Sequence, residues 1–367
     1  MKSRREFLID MPLALLGAAV ASCAQSPASP LPAQSRCRSN HQNAAQTYPA
    51  DFARLHFLTF DPNFSDYRPA IDAAGEHVVF ERTPVSGGYT VLYILALNQT
   101  VPQVFLQPPA DADIVTGPNQ SRPDWSWVTG QVALDVSETT SNDVEVLIAE
   151  ADGMPVSNVP GSRRYLYPTW SPDGTQLIVY NDKFSAVPSP CTSLIALDGT
   201  VLLANLNGND ADGAQMFGGF AAPNPNNVNL IAYAGQPDIP WGPATEGGYN
   251  QDYNYVFLNP KVGSVFASAP LESDASITIY QPRHQGRASV WSPDGNYIAF
   301  ESDRAGGYAV FLANVAAGTA PVQITDASYG AQHPKFFPDG TKLVTTAYQQ
   351  PGGGPRGIAW VDISPYL

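Results

Sequence analysis

Basic side chains are scarce in this sequence. Only 14% of the 367 residues are charged, and 19 lysines and arginines stand against 33 aspartates and glutamates. The formal net charge of −14 at pH 7 excludes a surface built to hold nucleic-acid phosphates, and it opposes adsorption to anionic lipid. We therefore expect no nucleic-acid partner, and membrane contact only through a covalent anchor.

Cysteine, long apolar runs and hydrolase motifs are scarce or missing as well. Three cysteines are too few for a disulfide scaffold in a chain of this length. The one N-terminal apolar run, Met11–Val20, is too short to cross a bilayer. No Gly-x-Ser-x-Gly segment occurs, so a serine hydrolase of the α/β type is not predicted.

Turn-forming and hydrophobic residues are plentiful. The chain holds 34 prolines, 30 glycines and 44% hydrophobic residues. This composition favours an exported, β-rich protein over a helical cytosolic one.

The first 22 residues predict an export signal. Lys2, Arg4 and Arg5 precede the apolar run, and the segment 3–8 resembles a twin-arginine motif. Val20-Ala21-Ser22-Cys23 resembles a bacterial lipobox, which implies acylation of Cys23. An ordinary signal peptide with a cysteine near its end is the alternative. We expect a periplasmic protein held to the bacterial membrane by lipid.

Residues 23–52 are rich in Pro, Ser, Gln and Asn and predict a flexible tether. With Cys23 acylated, Cys37 and Cys191 remain, and an oxidising compartment permits a disulfide between them. Two unpaired thiols are the other interpretation, and the sequence leaves both open.

Six degraded copies of one unit occupy residues 53–367. Two copies contain Trp-Ser-Pro-Asp-Gly, at Trp170–Gly174 and Trp291–Gly295. In each copy a tight turn separates an inner strand from a buried apolar strand, because Pro fixes φ and Gly accepts positive φ. The copies span residues 69–80, 123–134, 168–180, 223–233, 291–300 and 334–344.

This repetition predicts an all-β, six-bladed β-propeller with four-stranded antiparallel blades. The aromatic residues Trp125, Trp170, Trp291 and Phe336 are expected to pack between neighbouring blades. We expect the segment 55–60 to pair with 358–363, so that the N-terminal strand completes the last blade and closes the ring.

Trp-Ser-Pro-Asp-Gly followed by Tyr-Ile-Ala-Phe-Glu-Ser-Asp-Arg, at residues 291–304, resembles the repeats of the TolB C-terminal propeller family. Residues 323–340 are similar to the same repeat. The resemblance implies a propeller of the bacterial envelope that holds a partner segment over its central channel. It does not extend to the separate α/β domain of TolB.

Four basic residues are candidates for the channel mouth: Arg283, His284, Arg287 and His333. The two histidines precede inner strands of the fifth and sixth copies. Related propellers include pectin-oligosaccharide lyases with channel histidines, so an enzyme acting on an acidic oligosaccharide is the alternative function. A structural role for these histidines is the simpler interpretation.

The insertion 236–255 differs most from the repeats. It carries four aromatic residues among Gly and Pro: Trp241, Tyr249, Tyr253 and Tyr255. Aromatic loops on a rigid scaffold often bind peptide or sugar, but these side chains could equally pack the insertion onto its blade.

The sequence as a whole predicts a lipid-anchored envelope propeller that binds a protein or peptide segment without catalysis. It predicts a monomer, no cofactor and no metal site.

Overall fold

The computed structural model describes residues 52–111, 113–137, 144–181, 191–209, 216–237, 255–260, 269–271 and 284–367. They all belong to the second of two units into which the chain divides, Tyr48–Leu367. The predicted signal and tether, with Cys23 and Cys37, lie outside the described residues. So do Arg283, Trp241, Tyr249 and Tyr253, and for Cys191 and Tyr255 only the backbone is described.

Twenty-four strands are found in the described residues. The first half comprises β1 (His56–Phe57), β2 (Phe64–Ile71), β3 (His77–Pro84), β4 (Val91–Ala96), β5 (Gln103–Val104), β6 (Asn119–Trp125), β7 (Val132–Ser137), β8 (Val144–Ala149), β9 (Pro155–Asn158), β10 (Tyr165–Trp170), β11 (Gln176–Asn181) and β12 (Cys191–Ala196). The second half comprises β13 (Val201–Leu203), β14 (Met216–Asn224), β15 (Asn227–Pro237), β16 (Tyr255–Pro260), β17 (Ala269–Pro270), β18 (Gly286–Trp291), β19 (Tyr297–Ser302), β20 (Ala309–Asn314), β21 (Val322–Gln323), β22 (Gln332–Phe336), β23 (Lys342–Gln350) and β24 (Gly353–Asp362). Two short 3-10 turns, Ala327–Tyr329 and Ser364–Tyr366, complete the described elements.

These strands form four-stranded antiparallel sheets, and the architecture is an all-β propeller. Five sheets take their strands in chain order: β2 to β5, β6 to β9, β10 to β13, β14 to β17 and β18 to β21. A sixth sheet has the order β1-β24-β23-β22 and so joins strands from both ends of the described region. Neighbouring sheets contact one another through their first strands, and β2 contacts both β6 and β22.

The predicted tight turns connect the first two strands of each blade. Gly174, Gly295 and Gly340 have φ of 70°, 73° and 72°, which only glycine adopts without cost. In the turn after β10, the Asp173 carboxylate accepts a hydrogen bond from the Thr175 N–H at 3.1 Å. The Pro-Asp-Gly segments therefore have the role that the sequence indicated.

The repeated aromatic residue fills the space between neighbouring blades, as predicted. Trp125 packs among Ala70, Val79 and Leu92 of the preceding blade. Trp170, Trp291 and Phe336 occupy the same position at three further interfaces. Because each aromatic side chain is almost fully buried, it contributes on the order of 2–3 kcal/mol.

Every first strand of a blade contains a β-bulge. In the first blade Tyr67 pairs with Glu81 and Ala70 pairs with Val79, so two residues of β2 oppose one residue of β3. The same register shift occurs in β6, β10, β14, β18 and β22. The bulge bends the first strand at the equivalent position in each blade and so sets the direction of its side chains.

Candidate binding site in the propeller channel

Six bulge residues adopt a left-handed backbone although none of them is glycine. Their φ values lie between 45° and 55°, and only one other described non-glycine residue, Arg164, has positive φ. The six are Arg68, Arg122, Tyr167, Phe220, Ala288 and His333. This conformation costs roughly 1–2 kcal/mol per residue, so the surrounding structure must compensate for it.

Carboxylates of the second strands stabilise three of these bulges across the blade interface. Glu81 of β3 accepts a hydrogen bond from the backbone N–H of Arg122 at 2.7 Å. Asp135 of β7 accepts one from the Tyr167 N–H at 3.2 Å. Glu301 of β19 accepts one from the His333 N–H at 2.8 Å. Each blade with an acid at this position thus fixes the bulge of the next blade.

The same carboxylates form ion pairs with arginines of their own blades. Arg68 lies 3.1 Å from Glu81, and Arg122 lies 2.7 Å from Asp135. In the fifth blade the Arg287 Nε donates to Glu301. Burial raises the pKa of Asp135 to about 6, although the charge of Arg122 acts in the opposite direction. Glu81, through its charge, raises the pKa of Arg68 although burial opposes this, so this guanidinium stays protonated.

His333 lies within a group of cations. Its side chain is 10% exposed, and its ring centroid is 4.7 Å from that of Tyr67. Burial lowers the pKa of His333 well below its usual value, and the charges of Arg68, Arg287, Arg356 and Lys335 lower it further. The imidazole is therefore neutral at ordinary pH, and its Nε2 lies 3.9 Å from Glu301 Oε2.

Aromatic rings contribute to the wall of the central channel, which is the space next to the first strands of the blades, β2, β6, β10, β14, β18 and β22. The rings of Tyr167 and Phe220 lie 4.5 Å apart, and Phe220 lies 6.2 Å from His333. The Arg122 guanidinium stacks over Tyr167 at 4.3 Å. Tyr167 and Phe220 both remain partly exposed, so this wall is accessible to solvent.

One ion pair crosses the channel. Lys335 Nζ of β22 lies 2.7 Å from Asp124 Oδ1 of β6, and the intervening strand β2 carries the small residue Ala70 at the same level. Asp124 also accepts a hydrogen bond from the Trp170 N–H at 2.9 Å. Both charged residues lie near the ends of their strands, beside the tight turns. The pair therefore narrows the channel at the turn side.

Comparisons with known proteins support the fold only. No family model matches the chain, and no curated protein matches it. A gluconolactonase from Xanthomonas campestris is similar over 84% of this chain and 90% of its own, at 14% identity and a TM-score of 0.50. TolB from Acinetobacter baumannii shares 14% identity over 86% of this chain and 66% of its own, with a TM-score of 0.46. An oligogalacturonate lyase in complex with manganese shares 15% identity over 86% of this chain and 94% of its own, with a TM-score of 0.47.

The structure brings two of the four channel-mouth candidates together. Arg287 and the backbone of His333 both donate to Glu301. His284 lies just before β18 and is partly buried, and Arg283 lies outside the described residues. The binding role of all four residues stays a prediction, as does that of the aromatic insertion. Within the described parts of the chain, no group of three His, Cys, Asp or Glu side chains could hold a metal ion.

Several residues of the channel were not anticipated from the sequence. They include Glu81, Asp135, Arg68, Arg122, Tyr167, Phe220 and Arg356. The acids do leave a signal, because Glu81, Asp135 and Glu301 each follow directly on the apolar run of a second strand, where a buried acidic side chain is unusual. Among the described residues there is no helix long and apolar enough to cross a membrane.

Proposed function

We propose that this chain is a binding module of the bacterial envelope, whose channel holds a peptide segment of a protein partner without catalysis. The supporting observation is a partly exposed wall of arginine and aromatic side chains at the propeller axis. Arginine and tyrosine dominate the binding energy at protein interfaces. Here these side chains lie at bulges that carboxylates of neighbouring blades already fix, so little conformational entropy would be lost on binding.

A photo-crosslinking experiment in the envelope tests this proposal. Phe220 would be replaced by a photoreactive phenylalanine, and Phe60, which is 61% exposed outside the channel, provides the matched control. We expect a light-dependent adduct to a protein at position 220 and none at position 60. Adducts of equal yield at both positions, or none at position 220, would rule out a channel-bound partner.

The proposal includes a closed ring of six blades. Hydrogen bonding defines six four-stranded sheets, and β1 pairs with β24 in the register His56↔Trp360 and Phe57↔Ala359. A ring in which the first strand completes the last blade leaves no unpaired edge at the seam, where sheets otherwise aggregate.

Location at the membrane rests on the N-terminal sequence. We propose that residues 1–22 are removed, that Cys23 is acylated and that residues 23–52 tether the propeller. Replacement of Cys23 by Ser should move the protein from the membrane fraction to the soluble fraction of fractionated cells, whereas replacement of Cys37 should leave it in place. Retention of the Cys23→Ser variant in the membrane fraction would contradict lipid anchoring.

A second function is favoured by one observation, the neutral and buried His333 among guanidinium groups. A neutral imidazole is in the form that a general base requires, although its lowered pKa makes it a weak one, and arginines could hold the carboxylate of an acidic sugar. Incubation with polygalacturonate, followed by ultraviolet absorbance of unsaturated products, tests this. Activity that disappears in His333→Asn would favour the lyase over the binding module.

A further inference from the structure

Arg356 of β24 differs from the other buried arginines of the channel. Arg68, Arg122 and Arg287 each have a carboxylate partner. Arg356 is only 5% exposed, yet no carboxylate of the described residues lies within ion-pair distance of it. An uncompensated buried charge is costly, and a bound anion would relieve that cost.

The guanidinium of Arg356 is held in place without being saturated. It stacks over the Tyr348 ring at 4.1 Å and lies 5.5 Å from the Tyr67 ring. Its Nη1 donates to the Gly330 carbonyl at 2.8 Å, and its other side-chain donors bond to no described residue. A guanidinium fixed in this way presents its remaining N–H groups in the fork geometry that suits a carboxylate.

The surroundings of Arg356 are electropositive. The guanidinium of Arg68 lies on the same tyrosine, 4.7 Å from the Tyr67 centroid. Two carboxylates that face the same region, Glu81 and Glu301, already pair with Arg68 and Arg287. A bound anion would therefore meet three guanidinium groups, those of Arg68, Arg287 and Arg356, and only two carboxylates, although the whole chain is acidic.

The position of Arg356 also indicates which end of the channel a ligand would use. The backbone N–H of Arg356 donates a hydrogen bond, 3.3 Å long, to Ser65 Oγ at the beginning of β2. The ion pair of Lys335 and Asp124 narrows the opposite end, where the first strands finish. Arg356 therefore lies at the end of the channel where the first strands begin, next to Ser65 and Gly330.

We infer that Arg356, with Arg68 and Tyr67, forms a carboxylate-binding site at the end of the channel where the first strands begin. The inference rests on the proposed function, and it assigns the carboxylate to the partner peptide, either on an acidic side chain or at its C-terminus. The carboxylate accepts hydrogen bonds from Arg356, while the neighbouring rings of Tyr67 and Tyr348 hold the guanidinium in place.

Three capped amino acids test the inference on the purified protein. N-acetylalanine offers a terminal carboxylate, N-acetylaspartic acid α-amide offers a side-chain carboxylate, and N-acetylalaninamide is neutral. In NMR titrations at constant ionic strength we expect saturable binding of at least one carboxylate and none of the amide. Equal binding of all three, or of none, would overturn the inference. Galacturonic acid binding more tightly than both carboxylates would overturn the peptide assignment.

Variants of Arg356 locate the site. Arg356→Gln should weaken carboxylate binding at least tenfold, and Arg356→Lys should weaken it less because the charge is retained. Arg304→Gln is the matched control, since Arg304 also stacks on aromatic rings, those of Phe300 and Phe311, outside the channel. Unchanged binding in Arg356→Gln would contradict the assignment. If that variant does not fold, the three compounds still decide the question on the unmodified protein.

The two proposals can fail separately. A photo-adduct at position 220 without carboxylate binding would overturn only the carboxylate site. Carboxylate binding without an adduct would overturn the protein partner, and with it the assignment of the carboxylate to a peptide, but not the carboxylate site itself.

Discussion

At the scale of single residues, the channel depends on buried charges that serve two purposes. Glu301 fixes the bulge of the next blade through the His333 N–H and also neutralises Arg287. The same carboxylate therefore supports the backbone and the side chains of the binding wall. Its removal affects both, which distinguishes it from a surface acid.

Glu301→Gln is expected to destabilise the protein by about 3 kcal/mol, because Arg287 is left buried without a counter-charge. Urea unfolding at pH 7 measures the change in the free energy of unfolding. Glu145→Gln in β8 is the control, since Glu145 is partly exposed and should change stability by less than about 0.5 kcal/mol. Equal effects of the two substitutions would show that Glu301 does not support the channel.

His333 should make stability depend on pH. Its pKa in the folded protein lies below the unfolded value. Below about pH 6.5 the imidazole is therefore protonated in the unfolded chain but stays neutral in the folded protein. Stability from this residue is present above that pH and is lost as the pH falls towards the folded pKa. Between pH 7.5 and 5.5 the loss is about 1.4 kcal/mol.

His333→Asn should remove this part of the pH dependence, because asparagine does not titrate and tolerates the left-handed backbone at this position. Urea unfolding at both pH values measures it. The groups that face His333 are Arg68, Arg287, Arg356, Lys335, Glu301 and Tyr67. These groups and Asp135 are present in both proteins, so their titration cancels when the pH dependence of the variant's stability is subtracted from that of the parent. A variant with the same slope as the parent would contradict the burial of a neutral imidazole.

At the scale of elements, the sequence was most informative where turn chemistry and core periodicity decide the structure. The Pro-Asp-Gly turns, the apolar second strands and the aromatic residues between blades were predicted and are confirmed. These features repeat because each blade must solve the same local problem of turning and burying one face. The propeller fold with four-stranded blades follows from them.

The bulges were not predicted, for a physical reason. A left-handed residue is usually recognised by Gly or Asn, but these positions hold Arg, Tyr, Phe, Ala and His. At Arg122, Tyr167 and His333 the conformation is stabilised by a hydrogen bond to another blade, which the local sequence does not reveal. One local signal exists. Proline follows the bulge residue at Pro69, Pro123, Pro168 and Pro334, and a proline inside a strand is tolerated at a bulge or an edge.

Ala288→Gly tests the backbone strain in such a bulge. Ala288 has φ of 50° in β18, so glycine should stabilise the protein by about 0.5–1 kcal/mol by removing the steric cost of the left-handed conformation. Ala313→Gly in β20 of the same blade is the control and should destabilise the protein, because Ala313 is buried in a regular strand. Thermal unfolding of both variants provides the comparison. A destabilised Ala288→Gly variant would show that the bulge is not strained.

At the scale of the whole molecule, the meeting of the two chain ends decides whether the blades form a closed ring. The pair Phe57 and Ala359 lies between hydrogen-bonded positions of β1 and β24, since the Leu58 N–H donates to the Ile358 carbonyl next to it. Residues in such non-hydrogen-bonded pairs have Cα atoms about 4.5 Å apart, a separation that a disulfide can span.

Phe57→Cys with Ala359→Cys, in a background where Cys23, Cys37 and Cys191 are Ser, should therefore form a disulfide on mild oxidation. The bond would close a loop of almost the whole propeller, and chain entropy then predicts stabilisation of up to about 5 kcal/mol. Non-reducing electrophoresis and thermal unfolding with and without reductant measure both effects. Phe57→Cys with Ile358→Cys is the control, because residues one position apart on a strand point to opposite faces and cannot be bridged. A ring that closes elsewhere, or an open one, would cross-link neither pair, whereas equal yields for both pairs would indicate a seam without fixed register.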